Sequence, residues 1–129
     1  MSYLLDTCAL IWLTNGGKDL SPKARQICGD INYRLHVSAA SAWEVALKQV
    51  RGKLALESPA ANWWKGAISL HRLVELGITG EIAIVSTSLP PIHADPADRL
   101  LVATALHYRL AIITPDAAIA KYPGLKTIW

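Results

Sequence analysis

Short apolar runs alternate with capped helical stretches along this chain, and that alternation restricts its fold more than any other feature. Tyr3 to Leu5, Leu35 to Ser38, Ala111 to Ile113 and Leu125 to Ile128 read as strands. Between them, a first helix runs to about Leu13 and stops at Asn15-Gly16-Gly17. Ser21-Pro22 supplies a cap followed by proline for a helix through Ile27 and Cys28, and Ser58-Pro59 repeats the signal before a long helix carrying Trp63, Trp64, Ile68 and Leu70. Ser41-Ala42-Trp43-Glu44 matches a capping box opening a helix to about Arg51. Asp95-Pro96 opens a helix over Ala97 to Tyr108, and Thr114-Pro115 opens another short one. The stretch Leu73 to Val85 has two readings: a strand at Ile82 to Ser86, or a strand at Val74 to Ile78 with Thr79 capping a helix after it. This pattern predicts an α/β fold around a mostly parallel sheet, whose right-handed crossovers bring helix N-termini to its carboxyl edge.

The 129 residues suffice for one domain with a proper core, and the 52% hydrophobic and 18% charged content argues for a compact globule over a disordered tail. No apolar run is long enough to span a bilayer. The apolar N-terminal stretch contains Asp6 and leads into Thr14, Asn15 and Gly16, which is unlike an export signal; a cytoplasmic protein is expected. Cys8 and Cys28 have neither C-x-x-C spacing nor a set of histidines for zinc, so both are expected as buried reduced thiols.

Asp6 lies between Leu4-Leu5 and the apolar Ala9, Leu10, Ile11 and Leu13, where a carboxylate needs a partner to offset its desolvation. It follows the first strand, while Glu44, Asp98 and Asp116 fall in the expected first turns of three helices. Any one helix acid has an ordinary explanation as a cap or dipole partner. An α/β sheet, however, gathers strand ends and helix N-termini around one crevice, where the four acids would meet. Asp98 supports this, because Leu101, Val102 and Ala105 share its helix face. Two carboxylates 4 Å apart repel by about 1 kcal/mol in water and about 4 kcal/mol at a protein surface, so such a cluster must hold protons or a cation. An all-oxygen donor set suits Mg²⁺ or Mn²⁺, which activate water and neutralise phosphoryl charge. Setting those four acids aside leaves six against 13 basic residues, an excess of seven on the remaining surface, which suits a polyanionic substrate.

The segments LLDTCALIW, SAASAWEVALKQVRGKL, HADPADRLLVATAL, IITPDAAIAKY and the terminal TIW, in this order, resemble the PIN-domain family, and within it the VapC-like ribonuclease toxins of toxin–antitoxin pairs. The resemblance covers nearly the whole chain. It implies a three-layer α/β/α sandwich and cleavage of RNA by metal-activated water, without a covalent enzyme intermediate. The family's metal-binding acids fall on Asp6, Glu44, Asp98 and Asp116, with Thr7 and Thr114 as polar support. A VapB-like antitoxin and a homodimer are implied as partners. The resemblance also favours a strand near Val74 to Ile78 followed by a short helix after Thr79. Ala97 departs from the aromatic frequent at that position, which touches packing and leaves the acids in place.

Other residues carry competing readings. Asp95 is expected as an N-cap, and His93 as a loop histidine bonded to backbone. Arg99 either anchors an acid or meets phosphate, against an exposed ion pair. Lys48 and Arg51 lie four and seven residues after Glu44, suited to an RNA backbone or, for Lys48, to an ordinary helix ion pair. Adjacent Trp63 and Trp64 point about 100° apart, so at least one is expected to face a groove or partner. Two further functions remain: a PIN-like module that binds RNA or protein without cutting, and a receiver-like phosphotransfer domain. The latter wants adjacent acids after the first strand, where this chain has Asp6-Thr7.

Overall fold

The computed structural model describes all residues 1–129. Its strands are β1 (Ser2–Leu5), β2 (Arg34–Ser38), β3 (Val74–Leu76), β4 (Ala111–Ile113) and β5 (Thr127–Ile128). Six α-helices connect them: α1 (Thr7–Thr14), α2 (Pro22–Cys28), α3 (Ala39–Val50), α4 (Ala60–His71), α5 (Gly80–Ser88) and α6 (Pro96–Tyr108). A 3₁₀ turn at Ile119–Lys121 precedes β5.

All neighbouring strands are parallel, in the order β3-β2-β1-β4-β5. Side chains alternate across β1 and β4, so each face has its own core. Tyr3, Leu5, Ala111 and Ile113 join Leu10, Ala24 and Ile27 on one side, with Trp63 and Trp64 packed at the margin. Leu4 and Ile112 join Leu101, Val102, Ala105 and Ile119 on the other. A parallel sheet buried on both faces gives the expected three-layer α/β/α sandwich. The chain builds outward from β1 through β2 to β3, then crosses back to β4 and β5. The order therefore reverses beside β1, and the crevice at the carboxyl ends of β1 and β4 is the switch point where such sheets bind ligands.

Several element ends differ from expectation for physical reasons. α3 starts at Ala39, with the Ser38 side chain capping Ala40 N–H at 3.0 Å. Ser41 and Glu44 therefore lie inside the helix, and no capping box joins them. Ser58 does not cap α4: Gln49 of α3 accepts from Ala60 N–H and donates to the Ser58 carbonyl, both at 3.0 Å. At the ambiguous stretch, Thr79 accepts from Ile82 N–H and starts α5 after the short β3. No α-helix follows Thr114-Pro115, only the 3₁₀ turn, and β5 is shorter than Leu125 to Ile128. Both cysteines are free thiols, but Cys8 is exposed because it is on the outward side of α1, between buried Thr7 and Ala9.

Candidate metal centre

Asp6 directly follows β1 and caps α1, so its apolar neighbourhood does have a helix-start explanation: Oδ1 accepts from Ala9 N–H at 2.7 Å. Its second oxygen accepts from the Thr114 hydroxyl, just past β4, at 2.5 Å. Parallel pairing of Leu5 with Ile113 sets these two residues side by side. The Asp6 carboxyl is only 4% exposed. Burial, against these hydrogen bonds, pushes its pKa up to about 6, with the charges of Asp116 and Glu44 adding to the rise.

Glu44 reaches the same crevice from the second turn of α3. The Thr7 hydroxyl donates to its Oε1 at 2.8 Å, and Thr7 Oγ1 lies 2.9 Å from that of Ser41. Lys48 Nζ pairs with Oε2 at 3.0 Å, as the four-residue spacing allows. Thr7 is thus a positioning hydroxyl between α1 and α3.

Asp98 stands in the first turn of α6, after the Asp95 cap, whose side chain accepts from Ala97 N–H at 2.9 Å. Burial, together with the charges of Asp95, Glu44 and Asp116, pushes the Asp98 pKa up to about 7. Asp116 belongs to a tight turn: Oδ1 accepts from Ala118 N–H at 2.8 Å and Ile119 N–H at 3.4 Å, and its own N–H donates to Thr114 Oγ1. Burial opposes its charge, but these donors and His93 outweigh burial and lower its pKa.

His93 is the residue that sequence reasoning undervalued. Its Nδ1 accepts from Asp95 N–H at 3.1 Å, the backbone bond expected of a loop histidine. That donor leaves the ring proton of the neutral imidazole on Nε2, which points between Asp116 Oδ2 at 2.9 Å and Asp98 Oδ2 at 3.2 Å. Burial lowers the pKa of the ring, but Asp116 and the neighbouring charges of Asp98 and Asp95 reverse that and raise it. The HADPADR segment offered one signal: a histidine two positions ahead of a capping aspartate.

Arg99 forms no ion pair with an acid. Its guanidinium donates to the carbonyls of Leu89, Pro90 and His93 at 2.9–3.2 Å, pinning the loop that carries the histidine. The Tyr122 hydroxyl accepts from His93 N–H at 3.0 Å and braces the same loop.

The structure therefore brings the four sequence-predicted acids to one crevice, each close enough to another to perturb it. The tightest group is His93, Asp98 and Asp116, whose candidate donor atoms lie within 4.8 Å of one another. With burial first, and neighbouring charges second, holding protons on two of the carboxyls towards neutrality, the cluster does not ionise fully by itself. Its carboxylate-rich donor set fits a hard divalent cation.

The PIN domain family model matches residues 3–125. The chain is 30% identical over 131 residues to Ribonuclease VapC22 of Mycobacterium tuberculosis, covering 99% of this chain and 98% of that one. VapBC2 from Rickettsia felis, solved bound to a DNA fragment from its promoter, superimposes with a TM-score of 0.71 at 16% identity, covering 99% and 98% of the two chains. A toxin–antitoxin complex from Klebsiella pneumoniae gives 0.67 at 22% identity, covering 98% and 96%. The fold, the order of the motifs and these likenesses agree: the chain belongs to the PIN domain family and is VapC-like.

Proposed function

We propose that this protein is a divalent-metal-dependent endoribonuclease, the toxin of a toxin–antitoxin pair, acting in the cytoplasm. The observation that carries the reading is the convergence of Asp6, Glu44, Asp98 and Asp116 on the switch-point crevice, with burial raising the pKa of Asp6 and Asp98. The nuclease named among its relatives supports the activity, and the toxin–antitoxin complexes among its structural neighbours support the biological setting.

In this reading the four acids would hold Mg²⁺ or Mn²⁺, and a bound ion would supply water activation and charge neutralisation at the phosphodiester. Thr114 keeps Asp6 in place, Thr7 and Lys48 fix Glu44, and His93 holds Asp98 and Asp116 together. Such orientation of acidic ligands by outer groups is a general requirement of metal sites. A VapB-like antitoxin would cover the protein at an apolar groove between α3 and α4, lined by Val45, Trp63 and Trp64. A second copy would use exposed Ile84 and Val85 of α5. No helix is long and apolar enough to cross a membrane.

The test is cleavage of a structured RNA by purified protein with Mg²⁺, with Mn²⁺ and with EDTA, alongside Asp6→Asn and Asp98→Asn. Metal-dependent products from the wild type alone are expected. Binding of RNA with no metal-dependent product would favour the non-cutting module instead.

A further inference from the structure

Beside the acid cluster runs a groove of about 350 Å³, most of whose lining has no role in the four-carboxylate assignment. One wall is α3, contributing Trp43, Leu47 and Lys48, and the other is the start of α6 at Pro96 and Ala97. Glu44 lines the groove and also belongs to the acid cluster, so the two are continuous.

Trp43 is the most conspicuous residue in it. The other four tryptophans pack in pairs, Trp12 against Trp129 and Trp63 against Trp64. Trp43 has no aromatic partner and is 53% exposed. An indole left largely in water one residue from the partly buried Glu44 gives up much of the solvation free energy that packing would return. The far end of the groove is basic. Arg51 and Lys53 are both exposed there, and Lys53 is set by the turn at Gly52, whose φ of 69° lets Lys53 N–H donate to the Lys48 carbonyl at 2.8 Å. Trp43, Leu47 and Arg51 recur every four residues, so they follow one side of α3 over roughly 12 Å, about the rise of three stacked nucleotides.

The geometry points to a binding track for single-stranded RNA that leads into the acid cluster, with Trp43 as the platform on which a base stacks and Arg51 and Lys53 as contacts to phosphate. This rests on the nuclease reading above and assigns it a substrate subsite. An aromatic face followed by cations is the arrangement that single strands use, because every base has a π-face and every linkage a charge. A protein segment is less well matched: the fully apolar groove is elsewhere, between α3 and α4, while this one mixes an indole with charges of both signs.

The experiment measures binding of a fluorescein-labelled, mixed-sequence 12-nucleotide single-stranded RNA by anisotropy, in an Asp98→Asn background so that no cleavage intervenes. Adding Trp43→Ala should weaken binding about tenfold, with the dependence on salt unchanged, whereas Trp43→Tyr should retain most of the affinity. Adding Lys53→Ala or Arg51→Ala should flatten the slope of log affinity against log salt by about 0.7 each. An abasic oligomer of equal length should bind the parent about as weakly as RNA binds Trp43→Ala. Circular dichroism melts of each variant check that the fold is intact. RNA affinity unchanged by Trp43→Ala in a folded protein overturns the proposal and leaves a protein contact as the role of the exposed indole. Cleavage by the wild type is scored separately: cutting without a Trp43 effect refutes the track alone, and a Trp43 effect without cutting refutes the nuclease reading alone.

Discussion

The hydroxyl of Thr114 donates to the carboxylate of Asp6 at 2.5 Å, joining residues 108 positions apart in sequence. The same oxygen accepts Asp116 N–H at 3.0 Å, so one small side chain positions two of the four acids. Thr114 and Asp6 are both buried, so water is no ready substitute for the bond between them.

Replacing Thr114 by Val keeps the shape and deletes both bonds. Urea denaturation of the metal-free protein should show a loss of about 1–3 kcal/mol, the cost of leaving buried polar groups unpaired. Thr114→Ser should recover most of it. RNA cleavage should fall in the Val variant by more than the folded fraction explains.

Stability without metal should fall as pH rises. Asp6 and Asp98 release their protons near pH 6 and 7 in the folded chain, against 3.8 for the ordinary aspartate value. Between those values the folded state binds more protons than the unfolded one, so the contribution is complete below about pH 4 and is lost as pH rises through 6 to 7. Thermal melts in EDTA should therefore give a lower Tm at pH 8 than at pH 5. Mg²⁺ should raise Tm at pH 8 and do little at pH 5, where protons occupy the acids. An increase in Tm from pH 5 to pH 8 in EDTA would contradict this electrostatic picture.

Asp98→Asn should separate stability from function. At pH 8 without metal the substitution removes a half-buried like charge, and the amide oxygen keeps its place facing His93 Nε2, so Tm should rise by a few degrees. The stabilisation by Mg²⁺ should shrink and metal-dependent RNA cleavage should disappear.

Gln49→Ala provides a purely structural comparison. It removes two hydrogen bonds that tie α3 to the start of α4, at Ser58 and Ala60. A loss of about 1–2 kcal/mol is expected by denaturant titration, as for a missing helix cap, with the specific cleavage rate of the folded protein preserved.

The sequence by itself determined the kinds of element and their order, because caps and periodicity act over a few residues. Ser21-Pro22, Thr79 and Asp95-Pro96 each start a helix through a bond to a backbone N–H two or three positions on. It also singled out Asp6, since a carboxylate in an apolar run is conspicuous wherever the chain takes it. Only the tertiary structure decided what surrounds the acids. The real cap of α4 comes from a glutamine eleven positions before Ala60, and Ser38, not Ser41, begins α3. Arg99 spends its charge on three loop carbonyls, and His93 turns its Nε2–H onto acids from α6 and the turn after β4. Those partners are chosen by crossovers and strand register, which set non-local neighbours together; no short stretch of sequence contains that information.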